Sequence, residues 1–364
     1  MIIGVPKEVK NNEYRVGLTP ESTVALCKEG HEVLIQSDAG SSIGFSNQDY
    51  IDSGAKIIDE AEEVFYKSNL IIKVKEPIEH ELDYLREDLT LFTYLHLAGN
   101  PESAKRIVNT GVTGIAYETV TDDKNALPLL APMSEIAGQI SIVVGSYNLL
   151  KHNHGKGVLL GSFQNLDSRV VTVIGGGVAG TQAIEKAIDN KALVNVIDLS
   201  IDKLNSLKAK YGEDNINYIQ SSSEAIFESI KKSDLVVGSV YVIGKEAPKI
   251  ITREMIGEMS PGTVMVDISI DQGGCFETSK PTTHDEPTFL VDDVVHYCVT
   301  NMPGAVPLTA SLALNKATLP YIKLLANLGI KEALNQNAGF KNGLNISKGE
   351  IKHQAVSEAL SSFK

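Results

Sequence analysis

Gly175, Gly177 and Gly180 stand in Gly-x-Gly-x-x-Gly order directly after the β-branched run Val170-Val171-Thr172-Val173-Ile174, and an acid, Asp198, closes the next apolar run 23 positions after Gly175. A strand, a glycine turn and a helix start in this order suit a pyrophosphate. The first glycine allows the tight turn, the second lets backbone N–H groups approach the phosphates, and the third lets helix and strand pack closely. Asp198 would accept from adenosine ribose hydroxyls and repel a 2′-phosphate. It is followed by Leu199 and Ser200 rather than by Arg, so the pattern favours NAD over NADP, with Lys203 pulling slightly the other way.

A second group of residues could handle a small charged substrate. Lys75 follows the run Leu70–Val74, His96 follows Leu91–Leu95, Arg15 lies in the loop after Ile2–Val5, and Asp271 follows Val266–Ile270, just before Gln272-Gly273-Gly274. Ligands of open α/β sheets bind beyond the carboxyl ends of the strands, where all four fall. Together they supply an anion clamp, a second cation, a group titrating near neutrality and a carboxylate. Taken singly, Arg15 reads more readily as a surface ion pair, and Lys75 and His96 as structural; the shared strand-end placement of Lys75 and His96 reverses that balance. His31, His80, His284, His296 and His353 show no partners in the sequence, and His152 and His154 have no nearby acid or thiol, so no metal site is expected. Pro132-Met133-Ser134-Glu135 lacks the Gly-x-Ser-x-Gly form of a nucleophile elbow, and Ser134 reads as helix-capping chemistry.

These residues need two sheets to position them. Strands are expected at Ile2–Val5, Glu32–Gln36, Lys56–Ile58, Leu70–Val74, Leu89–Leu95 and Val112–Tyr117, alternating with helices opened by Thr19-Pro20-Glu21 and Asn100-Pro101-Glu102. A long helix from about Pro132 leads into a second βαβ series with strands at Val170–Ile174, Val194–Asp198, Asp234–Val237 and Thr263–Ile268. Another long helix runs from Pro307 to about Leu328, where Pro320 should kink or split it, and the tail from Gly349 reads as a short amphipathic helix. The fold class is therefore α/β: two Rossmann-like, doubly wound parallel-sheet domains separated by a cleft and joined by two long helices. The final stretch is too short to bury a core alone, so residues 1–130 with 307–364 are assigned to a discontinuous catalytic domain and 131–306 to a nucleotide-binding one.

Composition narrows the alternatives. The chain has 364 residues, 43% hydrophobic and 22% charged, with 33 Lys plus Arg against 46 Asp plus Glu and a net charge of −13, which gives nucleic acid no basic surface. Cys27, Cys275 and Cys298 are odd in number and far apart, suggesting neither disulfides nor a zinc knuckle. No run approaches the roughly 18 apolar residues of a membrane span. A soluble cytoplasmic protein is expected.

Longer motifs add a resemblance. Ile3-Gly4-Val5-Pro6-Lys7-Glu8 with Glu13-Tyr14-Arg15-Val16, Tyr94-Leu95-His96-Leu97-Ala98, Pro132-Met133-Ser134-Glu135-Ile136-Ala137-Gly138, Asp271-Gln272-Gly273-Gly274-Cys275 and His296 through Pro307 resemble, in order and over essentially the whole chain, the alanine dehydrogenase and nicotinamide nucleotide transhydrogenase N-terminal family. The resemblance implies reversible NAD-dependent oxidative deamination of L-alanine to pyruvate and ammonium by a homohexamer. It implies that Arg15 and Lys75 hold the substrate and that His96 and Asp271 exchange protons. Cofactor contacts would fall on Ser134, Val178, Ala179, Asp198, Lys203, Ser221, Val240, Tyr241, Ile268, Ser269, Ile270, Asp271, Lys280, Val299, Thr300, Asn301 and Met302. Two departures touch the cofactor side. Ser162-Phe163-Gln164-Asn165 replaces the usual Gly, Val and Pro, and Lys280 stands where relatives often have Arg, keeping charge without bidentate geometry. A transhydrogenase subunit and a non-catalytic NAD sensor are the rival readings.

Overall fold

Short aliphatic runs buried on both faces form the strands of two sheets, as central parallel strands require. A computed structural model describes residues 1–241 and 246–361. The first sheet begins with β1 (Ile2–Val5), β2 (Glu32–Gln36), β3 (Lys56–Ile58), β4 (Leu70–Ile72), β5 (Thr90–Thr93) and β6 (Thr113–Ala116). The second contains β7 (Val170–Ile174), β8 (Leu193–Asp198), β9 (Ile216–Gln220), β10 (Leu235–Gly238), β11 (Val264–Asp267), β12 (Thr288–Val291) and β13 (Val294–Tyr297). The chain then returns to the first sheet with β14 (Leu344–Ser347) and β15 (Glu350–Ile351).

The first sheet has the order β15-β14-β6-β5-β4-β1-β2-β3, and the second β12-β13-β11-β10-β7-β8-β9. Pairings are parallel except at one edge of each sheet, where β14 runs antiparallel to β6 and β15, and β12 antiparallel to β13. Two compact units result: Met1–Met133 together with the chain from Gly304 onward, and Ser134–Pro303. Val64, Phe65, Leu91, Ile107 and Ile346 share a core in the first, and Ile174, Ile230, Val236, Met265 and Phe276 in the second.

Helix starts follow the capping signals. Thr19 accepts from Ser22 N–H ahead of the helix Pro20–Lys28, and Asn100 accepts from Ser103 N–H ahead of Pro101–Asn109. The helix Pro307–Leu328 is not split at Pro320. Ser311 and Asn315 anchor it before the proline, and buried Ile322 and Leu325 anchor it after, so packing offsets the missing backbone donor. The tail is also not a single helix from Gly349: β15 comes first and the helix is Gln354–Ser361.

Candidate active site

Arg15, Lys75 and His96 follow β1, β4 and β5, three strands that lie side by side in the first sheet. The loop carrying Arg15 is fixed from the returning helix, where Ser311 Oγ accepts from Val16 N–H at 3.1 Å and Asn315 Oδ1 from Thr19 N–H at 2.8 Å. Gly17 lies against β4; a Cβ there would come within 2.5 Å of the Ile72 carbonyl oxygen. Arg15 is no surface ion pair, since it is 2% exposed. Its Nε donates to Glu13 Oε1 at 2.6 Å and Nη2 to Glu13 Oε2 at 2.5 Å, while Nη1 faces Met133 Sδ at 3.2 Å. Burial opposes the guanidinium charge, but Glu13 outweighs it and the pKa lies above its usual value.

A buried ion cluster supports the Lys75 strand end. Glu8 Oε1 accepts from Val74 N–H at 2.6 Å and Glu8 Oε2 from Lys73 Nζ at 3.1 Å; Lys73 also donates to Glu81 Oε1 at 2.7 Å. Burial pushes the Glu8 carboxyl up to about 7, against the pull of Lys73. Lys73 keeps a raised pKa because Glu8 and Glu81 outweigh its own burial.

His96 has part of its surface open to solvent but is crowded on its other sides by protein. That desolvation first, then the Lys75 charge with Lys10 and Arg15, pushes its pKa down to about 3, against the opposing pull of Glu76. This corrects the expectation of a group titrating near neutrality: with no substrate anion beside it, the imidazole is neutral at pH 7. Its ring stacks on Tyr94 at 5.8 Å. Glu76 itself stays ionised, since Lys10 at 2.8 Å and Lys75 overcome its burial.

The second unit gathers the dinucleotide residues in the same strand-end manner. Gly175, Gly177 and Gly180 follow β7, Asp198 ends β8, Ser221 follows β9, Val240 and Tyr241 follow β10, Ile268–Asp271 follow β11, and Val299–Met302 follow β13. Gly175 adopts φ +100°, open to glycine, and a Cβ on Gly180 would meet the Gly175 carbonyl oxygen at 1.8 Å. Among the described residues nothing lies within 4 Å of a Cβ on Gly177, and no side chain caps the helix Val178–Asp189 that it starts. An unobstructed glycine at an uncapped helix start fits a pyrophosphate. Asp198 accepts from Gly176 N–H at 2.7 Å and Ser200 N–H at 2.8 Å, and it shares the surroundings of Gly176 with Lys203. Lys280 lies over the Phe289 ring at 4.3 Å. Ile270, Val299 and Met302 are buried, so the main chain is what they present. Ser134 is not a cap, because its helix, Ala131–Asn148, starts three residues earlier.

Asp271 sits on this second unit, in the short helical turn Ile268–Gln272. Buried Asp267 closes that loop: its carboxylate accepts from Ser269 N–H at 3.0 Å, Cys275 N–H at 2.8 Å and Ser279 Oγ–H at 2.5 Å.

The N-terminal-domain model of the family described as alanine dehydrogenase/PNT matches residues 4–137, and the C-terminal-domain model matches residues 141–354. The chain belongs to this family. Within the family, it is 46% identical over 360 residues to an alanine dehydrogenase of Mycolicibacterium smegmatis, covering 99% of this chain and 97% of the relative. It is 48% identical to an alanine dehydrogenase of Staphylococcus haemolyticus, over 99% and 96% of the two chains. A solved L-alanine dehydrogenase superposes with a TM-score of 0.95 at 42% identity, covering 100% of both chains. Family membership and fold imply a nicotinamide cofactor. Among the described residues no helix is long and apolar enough to cross a membrane, and no acid, histidine and cysteine cluster could hold a metal.

Sequence reading missed the carboxylates behind the site, Glu8, Glu13, Glu76 and Glu118. Glu118 follows β6 and obeys the same strand-end rule that picked out Lys75 and His96. Histidines that looked unpartnered are also engaged: His31 with Asn327 at 2.8 Å, His284 with the Asn301 carbonyl at 3.2 Å, and His296 with Thr278 at 2.8 Å.

Proposed function

We propose that this protein is an NAD-dependent L-alanine dehydrogenase, converting L-alanine, NAD and water reversibly to pyruvate, ammonium, NADH and a proton. The gathering of Arg15, Lys75 and His96 at three adjacent strand ends carries the reading. It supplies two cations for a carboxylate and one imidazole for proton transfer, a set matched to a small 2-amino or 2-oxo acid. Residues 1–130 with 307–364 then form the substrate domain, and 131–306 the nucleotide domain.

Held on the second unit, NAD would supply the acceptor for the α-hydrogen of alanine and its electron pair. The chain does the rest. Arg15 and Lys75 neutralise the substrate carboxylate, and Lys75 polarises the carbonyl oxygen in the reverse direction. The α-hydrogen leaves readily only from a neutral amine, so the ammonium must first lose a proton. Neutral His96 has a lone pair for it, and a bound carboxylate raises its basicity by cancelling the field of Lys75 and Arg15. Asp271 supplies a negative charge to hold ammonium and orient the water that attacks the imine carbon.

Gly175, Gly177 and Gly180, with the amides of Val178 and Ala179, would cradle the pyrophosphate, and Asp198 would select the unphosphorylated ribose of NAD. Ser134, Lys203, Ser221, Val240, Tyr241, Ile268 to Asp271, Lys280 and Val299 to Met302 complete the proposed cofactor contacts. Family resemblance supports a homohexamer working in the cytoplasm, which light scattering and cell fractionation would check. The decisive assay follows NAD reduction at saturating L-alanine, with L-serine, L-valine, D-alanine and NADP as comparisons. Turnover strongest with L-alanine and NAD is expected, and no turnover with any amino acid overturns the reading.

A further inference from the structure

We infer that Glu118 is a positioning residue for His96, holding the left-handed turn that presents the imidazole. This deepens the proposed function and rests on its assignment of proton transfer to His96. Glu118 lies in the turn Tyr117–Thr119 after β6, and β6 pairs with β5, whose end carries His96. Its carboxylate reaches across to the neighbouring loop. Oε1 accepts from His96 N–H at 2.7 Å and from Leu95 N–H at 3.2 Å, and Oε2 lies 3.3 Å from the same Leu95 nitrogen.

These bonds begin where the sheet stops supplying partners. Tyr94 N–H still donates to the Val74 carbonyl of the next strand's end at 3.2 Å, and Leu95 and His96 then turn to Glu118. His96 adopts φ +46° and ψ +36°, a left-handed conformation that a residue with a Cβ takes up uncommonly and that bonds to its own amide help to hold. A residue relaxing out of that region would swing the imidazole away from Lys75 while leaving the sheet intact.

Glu118 is itself firmly placed. Ala116 N–H donates to the Gly343 carbonyl at 2.7 Å, and Asn345 Nδ2 donates to Thr119 Oγ1 at 2.6 Å, so the returning C-terminal strand braces the turn. Tyr117 packs edge-on against Tyr94 at 5.0 Å, and Tyr94 carries the His96 ring. Two amides need an acceptor at this point; they do not need a charge, and burial already pushes the Glu118 carboxyl above its ordinary pKa.

That distinction gives the test. Glu118→Gln keeps the reach and one acceptor oxygen but loses the charge, whereas Glu118→Asp keeps the charge and loses a methylene of reach. In the full-length enzyme at saturating alanine and NAD, kcat of Glu118→Gln should stay within about 5-fold of wild type, and that of Glu118→Asp should fall on the order of 10–100-fold. The KM for NAD should be the same in both, and thermal unfolding reports whether each is folded. In a His96→Ala background, Glu118→Asp should cause no further loss of the residual kcat. The reverse order of Gln and Asp, wild-type kcat in both, or a full additional loss in the double variant would overturn the inference. His96→Ala alone tests the reading beneath it: unimpaired turnover there removes His96 from the chemistry whatever the Glu118 variants do.

Discussion

Glu13 grips Arg15 through both carboxylate oxygens, at 2.6 Å to Nε and 2.5 Å to Nη2, with both side chains buried. A paired, buried guanidinium has one orientation, which sets how it meets a substrate carboxylate. Removing the partner leaves an uncompensated buried charge, a loss on the order of 3–5 kcal/mol. Glu13→Ala should therefore lower the denaturation midpoint and raise the KM for alanine by about 10-fold or more, with the KM for NAD unchanged. An unaltered alanine KM in a folded Glu13→Ala enzyme would separate Arg15 from substrate binding.

The His96 imidazole sits below its ordinary pKa of 6.5, at about 3, through desolvation and then the cations led by Lys75. As pH falls from 6.5 towards 3, the unfolded chain gains a proton at this position that the folded chain refuses, so His96 costs stability on acidification. Pyruvate places an anion against the same cations and must raise the pKa. Histidine NMR should show His96 neutral at pH 5 in the free protein and an upward shift on adding pyruvate. Replacing Lys75→Met should also move it upward, and a pKa near 6.5 in the free protein would contradict the electrostatic picture.

The strand-end residues were legible because β1, β4, β5 and β7 are short runs dominated by apolar, largely β-branched residues, and position just beyond such a run is itself a functional signal even though β4 and β5 stop two residues earlier than the pattern suggests. Strands of mixed or very short sequence carried no such signal. β9 reads Ile-Asn-Tyr-Ile-Gln, β14 Leu-Asn-Ile-Ser, and β15 has two residues; their order comes from pairing with a sheet already formed, not from their own pattern. The supporting carboxylates were hidden for a related reason. Glu118 meets His96 across 22 residues and Glu8 meets Lys73 across 65, and only parallel register brings such pairs together. The sequence places Asp271 directly at a strand end, but β11 stops at Asp267, whose carboxylate ties the loop shut, and Asp271 lies in the helical turn Ile268–Gln272 beyond it.

Lys73 is a single buried cation between Glu8 and Glu81, so the cluster holds one more acid than base. The Glu8 pKa lies at about 7 against an ordinary 4.5: the folded state keeps a proton that the unfolded state releases, and stability declines as pH rises from 4.5 through 7. Lys73→Met removes the cation that bridges both acids in this cluster. It should destabilise by about 3–5 kcal/mol at pH 8 and by clearly less at pH 5, where Glu8 carries its proton. Urea unfolding at the two pH values measures the difference, and an equal loss at both would mean that packing, not charge, is what Lys73 contributes.

Gly177 and Gly180 lie within one helical turn of each other but face opposite constraints. A methyl on Gly180 would come 1.8 Å from the Gly175 carbonyl oxygen and 2.6 Å from Ser239 Oγ, so helix and strand would have to part; a methyl on Gly177 meets none of the described residues within 4 Å. Overpacking of this kind typically costs about 1–3 kcal/mol. Gly180→Ala should therefore lower the unfolding temperature and weaken NADH binding together. Gly177→Ala should leave unfolding unchanged yet raise the NADH dissociation constant about 10-fold or more, because the open space beside it is where the pyrophosphate must approach. Calorimetric titration of both variants decides the matter: wild-type affinity in Gly177→Ala would place the dinucleotide elsewhere on the sheet.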